Sequence, residues 1–228
     1  MENRILAALP GDELDRLRPH FERVRLVRGQ PVIVPDEPIK DFYFPLSCLL
    51  SLVTTMEDGG SVESGTIGRE GMSGVPVLLD ARMTTMPTFA QVAGDALRVR
   101  AEVVKAAYDA GGRLRTLLNR YIHTVIVVGS QATACNRLHG LEQRFCKWLL
   151  MSSDGIGSDE VGLTQEFLAI MLGVRRAGVT EAALKMQAAG LISYSRGHIL
   201  IHERAGLERV ACECYARTKA EYERLFGD

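Results

Sequence analysis

The chain of 228 residues is poor in the features that would settle its class at once. It has no run of about eighteen apolar residues, so no membrane-spanning helix is expected. The N-terminal stretch MENRILAALPGDELDR carries acids and no apolar core with a cleavage site, which argues against a signal peptide and for a cytoplasmic protein. There is no surplus of charge: the formal net charge is -1, which argues against a protein that coats nucleic acid without selectivity but not against one with a single basic face. The cysteines, Cys48, Cys135, Cys146, Cys212 and Cys214, are scattered and odd in number, as suits free thiols in a reducing compartment. Cys212-x-Cys214 is their one close pair, and without a second pair beside it the sequence predicts no metal site. The histidines, His20, His123, His139, His198 and His202, avoid the β-rich part of the chain except at its start. No Gly-rich phosphate loop, H-E-x-x-H or nucleophile with its base is present, so an enzyme is not expected. Internal repeats and low-complexity linkers are absent as well.

What is present is organised around residues 163–201, LTQEFLAIMLGVRRAGVTEAALKMQAAGLISYSRGHILI. Thr164 is a good helix cap, followed by Gln165 and Glu166 at the positive helix end. Phe167, Leu168, Met171 and Leu172 recur at helical spacing, and Gly173 stops the helix because it accepts a left-handed backbone cheaply. A second helix presents Val179, Ala182, Ala183 and Met186 inward and ends at Gly190. Ala169, four residues before Gly173, leaves room for the two helices to meet. This is a helix-turn-helix, and residues 191–194 and 198–201, joined through Ser195, Arg196 and Gly197, form a wing. Arg175, Arg176 and Thr180 remain outward at the start of the second helix, where Arg and Thr can reach base edges or phosphates. Lys185 and Arg196 add to a local excess of four cations over one acid, Glu181, between positions 172 and 200. The DNA-binding set is therefore Thr164, Gln165, Arg175, Arg176, Thr180, Lys185 and Arg196. The alternative is a helical hairpin built for packing, in a protein-interaction module that no longer binds DNA.

In chain order, two short helices at 4–9 and 12–18 precede a region, about 22–100, of short β-branched and aromatic runs. These lie at 24–27, 32–34, 42–44, 49–55, 61–67, 88–93 and 97–100, with Asp58-Gly59-Gly60 as a hairpin turn. Many short strands at this spacing predict a barrel or jelly roll. Helix returns at 101–108, breaks at Gly111-Gly112, and then runs long, about 113–136. Leu114, Leu118, Tyr121, Val125, Val128 and Ala132 follow a heptad spacing that predicts a two-helix dimer interface, with burial against the chain's own domain as the alternative. Another helix is expected at 138–150, and after the wing a single amphipathic helix through Leu207, Val210, Ala211, Cys214 and Tyr222.

This order of parts resembles the Crp/Fnr family of transcription regulators. The resemblance is most specific at 163–193 and at Gly65-Thr66-Ile67-Gly68-Arg69-Glu70-Gly71, similar to the family's glycine-bearing turn. It implies an α+β protein. A β-roll (jelly-roll) sensor domain, similar to cyclic-nucleotide-binding domains, would occupy 1–110, a dimerisation helix 111–137 and a winged helix-turn-helix domain 138–228. It implies a homodimer on two-fold double-stranded DNA that engages RNA polymerase, with no membrane attachment. Effector-pocket candidates are Gly68, Arg69, Glu70, Gly71, Arg82, Thr84 and Thr88. The chain departs from the cyclic-nucleotide members. Glu70 is offset by one position, and Pro87-Thr88 stands where an Arg-Ser or Arg-Thr pair would clamp the phosphate, so a cyclic nucleotide is not the expected effector. The cysteine cluster of the iron–sulfur members is missing too, and His20 and His123 are isolated, so no cofactor is expected. In the recognition helix Ala177 and Glu181 replace the family's usual Glu and Arg, which predicts a different half-site.

Overall fold

A computed structural model describes residues 3–227. Buried Asn3 anchors the start of the chain. Its side-chain oxygen caps helix α1 (Arg4–Ala7) by accepting from the Ile5 and Leu6 N–H groups, and its amide donates to the Pro45 and Gly71 carbonyls at 3.1 and 2.9 Å. Helix α2 (Gly11–Leu17) follows. Then come strands β1 (Glu22–Leu26), β2 (Pro31–Ile33), β3 (Asp41–Pro45), β4 (Leu49–Thr55) and β5 (Ser61–Ile67). The one-turn helix α3 (Val75–Leu78) precedes β6 (Thr88–Val92) and β7 (Gly94–Arg100). The strands form two antiparallel sheets, ordered β1-β7-β3 and β2-β6-β4-β5. Leu26, Cys48, Leu50, Ile67, Ala90 and Ala96 fill the space between them. This is the expected β-roll, and Gly59, at φ 84°, turns the β4–β5 hairpin with the Gly60 N–H bonded to the Asp58 carboxylate at 2.9 Å.

Helix α4 (Ala101–Asp109) leads through Gly111 and Gly112 into α5 (Gly112–Leu138). At 27 residues, α5 is roughly 40 Å long. Its start is capped from outside: the Glu13 carboxylate accepts from the Arg113 and Leu114 N–H groups, both at 2.8 Å, which places an anion at the positive helix end. Half of the heptad residues predicted to meet a partner are buried inside the chain. Leu114, Leu118 and Tyr121 are buried in the chain's own core with Ile5, Leu6 and Phe42, and the Tyr121 hydroxyl donates to the Met72 carbonyl at 3.1 Å. Val125 packs against that core, while Val128 and Ala132 line a cavity of about 50 Å³ with Glu63 and Trp148. A period of seven marks a buried stripe without saying what covers it, and over Leu114 to Tyr121 the cover is the chain's own N-terminal core. The exposed stripe of α5 is a different heptad set: Asn119, His123, Ile126, Ser130, Thr133 and Arg137.

The C-terminal half contains α6 (Leu141–Ile156), β8 (Glu160–Gly162), α7 (Gln165–Leu172), α8 (Arg176–Ala188), β9 (Ile192–Ser195) and β10 (His198–Ile201). It closes with α9 (Arg204–Val210) and α10 (Cys214–Phe226). The wing has a third strand, in the order β8-β10-β9. The closing segment is two helices, because Ala211 turns extended (ψ 149°) before Cys212. Helix α10 then crosses back: Leu225 joins the core of Ile5 and Tyr121, and Arg4 pairs with Glu223 at 3.0 Å. Among the described residues no helix is long and apolar enough to cross a membrane.

The two halves share a buried joint. Strand β4 is buried on both faces over its first three residues: Leu50 points into the roll, while Leu49 belongs to the core of Trp148, Leu168 and Val179. A Cβ on Gly68 would collide with the Gly155 Cα, and the Arg69 N–H donates to the Gly155 carbonyl at 2.9 Å. Phe89 and Phe167 meet edge to face at 5.8 Å. Between these contacts lies Glu63, part of which reaches the surface but whose carboxylate is enclosed. It accepts from Ser51 at 2.7 Å, Gln91 at 2.8 Å and the Trp148 indole at 3.0 Å.

Burial pushes the Glu63 carboxyl up from 4.5 to about 7, against these three hydrogen bonds and the Lys147 charge. Between those values the folded chain holds a proton that the unfolded chain has lost, so this group's contribution falls as pH rises and levels off above about 7. We predict a loss of roughly 3 kcal/mol across that window. Urea unfolding at a series of pH values should show it, and Glu63→Gln should flatten that part of the profile; an unchanged slope in the variant would contradict the assignment.

Candidate nucleic-acid interface

The Thr164 hydroxyl caps α7 by accepting from the Phe167 N–H at 3.3 Å. Gly173, at φ 62°, ends it in a left-handed cap. Arg175 then takes an extended conformation and α8 begins at once. Val179, Ala182, Ala183 and Met186 are buried against α6 and α7, and Ala169 is 7% exposed, as the helix-turn-helix reading requires. Outward on α8 are Arg175, Arg176, Ala177, Glu181 and Leu184. Thr180 is half-buried, with its hydroxyl within reach of the Gln165 side-chain oxygen at 3.0 Å and the Arg176 carbonyl at 3.1 Å. The bond fixes Gln165 across the gap between the two helices.

The wing completes the surface. Arg196 and Gly197, at φ 49° and 81°, form a two-residue turn with both backbones left-handed. Gly197 suits that turn, while Arg196 holds a strained backbone that places its guanidinium at the exposed tip. The Tyr194 hydroxyl donates to the Leu163 carbonyl at 2.8 Å and its N–H to Gln187 at 2.9 Å, which ties the wing to α8 and to the segment that leads into α7. Burial pushes the Tyr194 phenol up to about 12, opposed by Arg176 and Arg28, so it remains a neutral donor. Thr164, Gln165, Glu166, Arg176, Tyr194, Arg196 and Gly197 line one cleft.

Sequence reasoning therefore brought Thr164, Gln165, Arg176 and Arg196 to one place, with Arg175 and Thr180 beside them. Lys185 departs from the set. It lies nine residues after Arg176, half a turn away around the helix, and its ammonium pairs with Glu142 on α6. Tyr194 was missed because an aromatic in a short strand reads as wing core.

The effector candidates scatter. Arg69 and Glu70 line a cavity of about 270 Å³ with Arg4, Asp154, Tyr215 and Lys219, between the end of β5, α6 and α10. Gly68 is closed against Gly155, and Gly71 against the Tyr121 ring. The Glu70 carboxylate turns back to accept from the Gly68 N–H at 2.8 Å. Arg82 and Thr84 lie in a separate exposed loop, whose carbonyls accept from the Ile39 and Asp36 N–H groups. Thr88 is 2% exposed. The seven do not form one pocket, because the glycine turn is used to hold α6.

The expectation of no metal set meets a different arrangement. Cys135 and His139, at i and i+4 at the end of α5, lie beside Cys212 and Cys214, with their potential ligand atoms all within 4.8 Å of one another. The helical spacing of Cys135 and His139 was the available signal.

Residues 143–210 match the Crp-like helix-turn-helix domain family. No curated protein matches the chain in sequence. Among solved structures, FixK2 from Bradyrhizobium japonicum is similar at TM-score 0.69 and 12% identity, covering 84% of this chain and 98% of its own. A CRP-family transcriptional regulator from Thermus thermophilus gives 0.67 at 16% identity over 82% and 96%. CLP of Xanthomonas campestris, described as a c-di-GMP-responsive global regulator, gives 0.65 at 15% identity over 85% and 99%. The Crp/Fnr resemblance read from the sequence is borne out, as is the fold: an N-terminal β-roll, a long helix and a C-terminal winged helix-turn-helix.

The strained wing tip gives a stability test. Arg196→Gly removes a left-handed non-glycine residue and should raise the unfolding free energy by about 1 kcal/mol. Denaturant melts would show a higher midpoint with unchanged slope; a lower midpoint would mean that the Arg196 side chain contributes more to the fold than its backbone costs.

Proposed function

We propose that this chain, which has the Crp/Fnr regulator fold with its helix-turn-helix, is a sequence-specific DNA-binding transcription regulator acting as a homodimer. The observation that carries the reading is the exposed cleft with Arg176 on α8 and Arg196 at the wing tip. Helix α8 enters the major groove by its N-terminal end, Arg176 takes a base edge and Arg175 a neighbouring phosphate. Arg196 reaches the backbone flanking the groove, which contributes affinity without sequence information. Glu181, exposed one turn beyond Ala177, accepts from a cytosine amino group and repels phosphate, so it narrows the half-site.

The dimer forms through the outward stripe of α5 centred on Ile126, which is 63% exposed, in place of the inward one. Two such helices side by side cover Ile126 and Val127 and meet through Ser130 and Thr133, which are small enough for close approach. Contact with RNA polymerase, a cytoplasmic location and a division into roll, helix and DNA-binding unit near 110 and 138 accompany this reading. An effector enters through the cavity at Arg69 and Glu70. Its cations, Arg4, Arg69 and Lys219, are matched by Glu70, Asp154 and Glu223, so it suits a small molecule bearing both charges better than a cyclic nucleotide.

The base-reading role is tested by fluorescence anisotropy on a selected duplex and on random duplex. Arg176→Ala should weaken binding by roughly 1–3 kcal/mol on the selected site alone. Arg196→Ala should weaken both alike. Equal losses for Arg176→Ala, or no salt-dependent binding by the unaltered protein, would favour an interaction module instead.

The dimer is tested separately. Ile126→Glu should sediment as a folded monomer, because two desolvated carboxylates would face each other across the axis. Val125→Glu should destabilise the fold itself. A dimeric Ile126→Glu variant would place the interface elsewhere.

A further inference from the structure

We propose that Cys135, His139, Cys212 and Cys214 form a binding site for a single thiophilic divalent cation of the zinc class. The residues come from two distant parts of the chain: the C-terminal end of α5 and the corner between α9 and α10. The three cysteines are at most 3% exposed, and the His139 side chain is 18% exposed. Cys135 Sγ lies 3.6 Å from Cys212 Sγ, and Cys214 Sγ lies 3.5 Å from His139 Nδ1. A tetrahedral zinc ion, with Zn–S near 2.3 Å and Zn–N near 2.0–2.1 Å, sets its ligand atoms roughly 3.5–3.8 Å apart. Those two edges have that length, and the remaining pairs all lie within 4.8 Å. A cluster of several irons needs its sulfurs more widely spread.

The surroundings are those of a ligand set. His139 Nε2 pairs with the Glu213 carboxylate at 3.0 Å, which puts the proton on Nε2 and turns the Nδ1 lone pair to the cysteines. A carboxylate behind a ligating imidazole is the usual orienting partner of a metal-bound histidine. Lys147 Nζ lies 3.8 Å from Cys135 Sγ, and Gln131 donates to Cys214 Sγ at 3.0 Å. Three thiolates and one imidazole around a divalent cation leave a net charge of about −1, and Lys147 offsets it. Buried thiols that merely fill space need neither the aimed imidazole nor the ammonium. On binding, each thiol gives its proton to solvent as its sulfur–metal bond forms, with no change of oxidation state. The cation then fastens the end of the long helix to the corner from which α10 returns to the β-roll, so its occupancy sets how firmly the two halves are held.

The test uses the full chain expressed with Zn²⁺ in the medium and purified under reducing, oxygen-free conditions. Elemental analysis should find about one zinc per chain. Replacement by Co²⁺ should give the thiolate-to-cobalt charge-transfer band and the intense visible bands of a tetrahedral site. Cys212→Ser and Cys214→Ser should lower zinc affinity by roughly tenfold or more, with Glu213→Gln weakening it less than either. Cys48→Ser and Cys146→Ser, outside the site, should retain the metal. If the ligand variants fail to fold, the cobalt spectrum of the unaltered chain decides alone. Absence of both zinc and the tetrahedral spectrum, zinc retained unchanged in folded Cys212→Ser and Cys214→Ser variants, or a Cys135–Cys212 disulfide in the reduced preparation would overturn the proposal.

Discussion

The Glu63 carboxylate and the contacts around it join the parts of the molecule. It sits on β5, draws hydrogen bonds from β4 and β6 within its own sheet, and takes a third from Trp148 on α6. Its three donors would be costly to leave unpaired in a buried site, so the carboxylate holds the sheet to the helix as long as the joint is closed. Gly68 and Gly155 allow the same strand and helix to touch backbone to backbone a few residues away. Through α6 the constraint reaches the helix-turn-helix core, which shares Leu49 and Val92 with the roll. On the proposed function, a ligand held near Arg69 and Glu70 would lie against the helix that packs on the helix-turn-helix. Coupling of this kind would need a packed element that both sites touch, and α6 lines the cavity and packs on the helix-turn-helix core.

The local elements were legible in the sequence because they depend on local chemistry. Thr164, Gly173, Val179 and Gly197 each occupy a position that few other residue types would fill. The β-strands were legible from alternation and β-branching, and the turns from Asp58-Gly59-Gly60 and Gly111-Gly112. The sequence did not show what each buried face packs against. The stripe from Leu114 to Ala132 repeats every seven residues whether its cover is a partner helix or the chain's own sheet. The Gly68 to Gly71 turn looked like a ligand loop, yet its glycines are needed where α6 and Tyr121 press on the backbone. Lys185 was counted with the other cations because a local charge tally ignores the angle around the helix.

The four-residue cluster failed to register for a related reason. Cys135 and His139 lie more than seventy residues from Cys212, and the turn at Ala211 that splits the closing segment brings them together. A break in an amphipathic pattern is easy to read through, because the apolar spacing continues on both sides of it. The same break sends α10 back to the N-terminal core, where Arg4 and Glu223 pair. Helices α1, α5 and α10 are thereby held in one assembly, with the helix-turn-helix cleft of Arg176 and Arg196 exposed.

The proposed function rests most heavily on that surface reading sequence. The direct measurement is selection from a pool of random duplexes with the unaltered protein at physiological salt, followed by sequencing of the retained DNA. Two helix-turn-helix units related by the α5 axis should enrich a two-fold repeat with half-site centres about one helical turn, roughly 10–10.5 base pairs, apart or a multiple of it. Retention of the pool without enrichment, or enrichment of a single unrepeated half-site, would contradict the account.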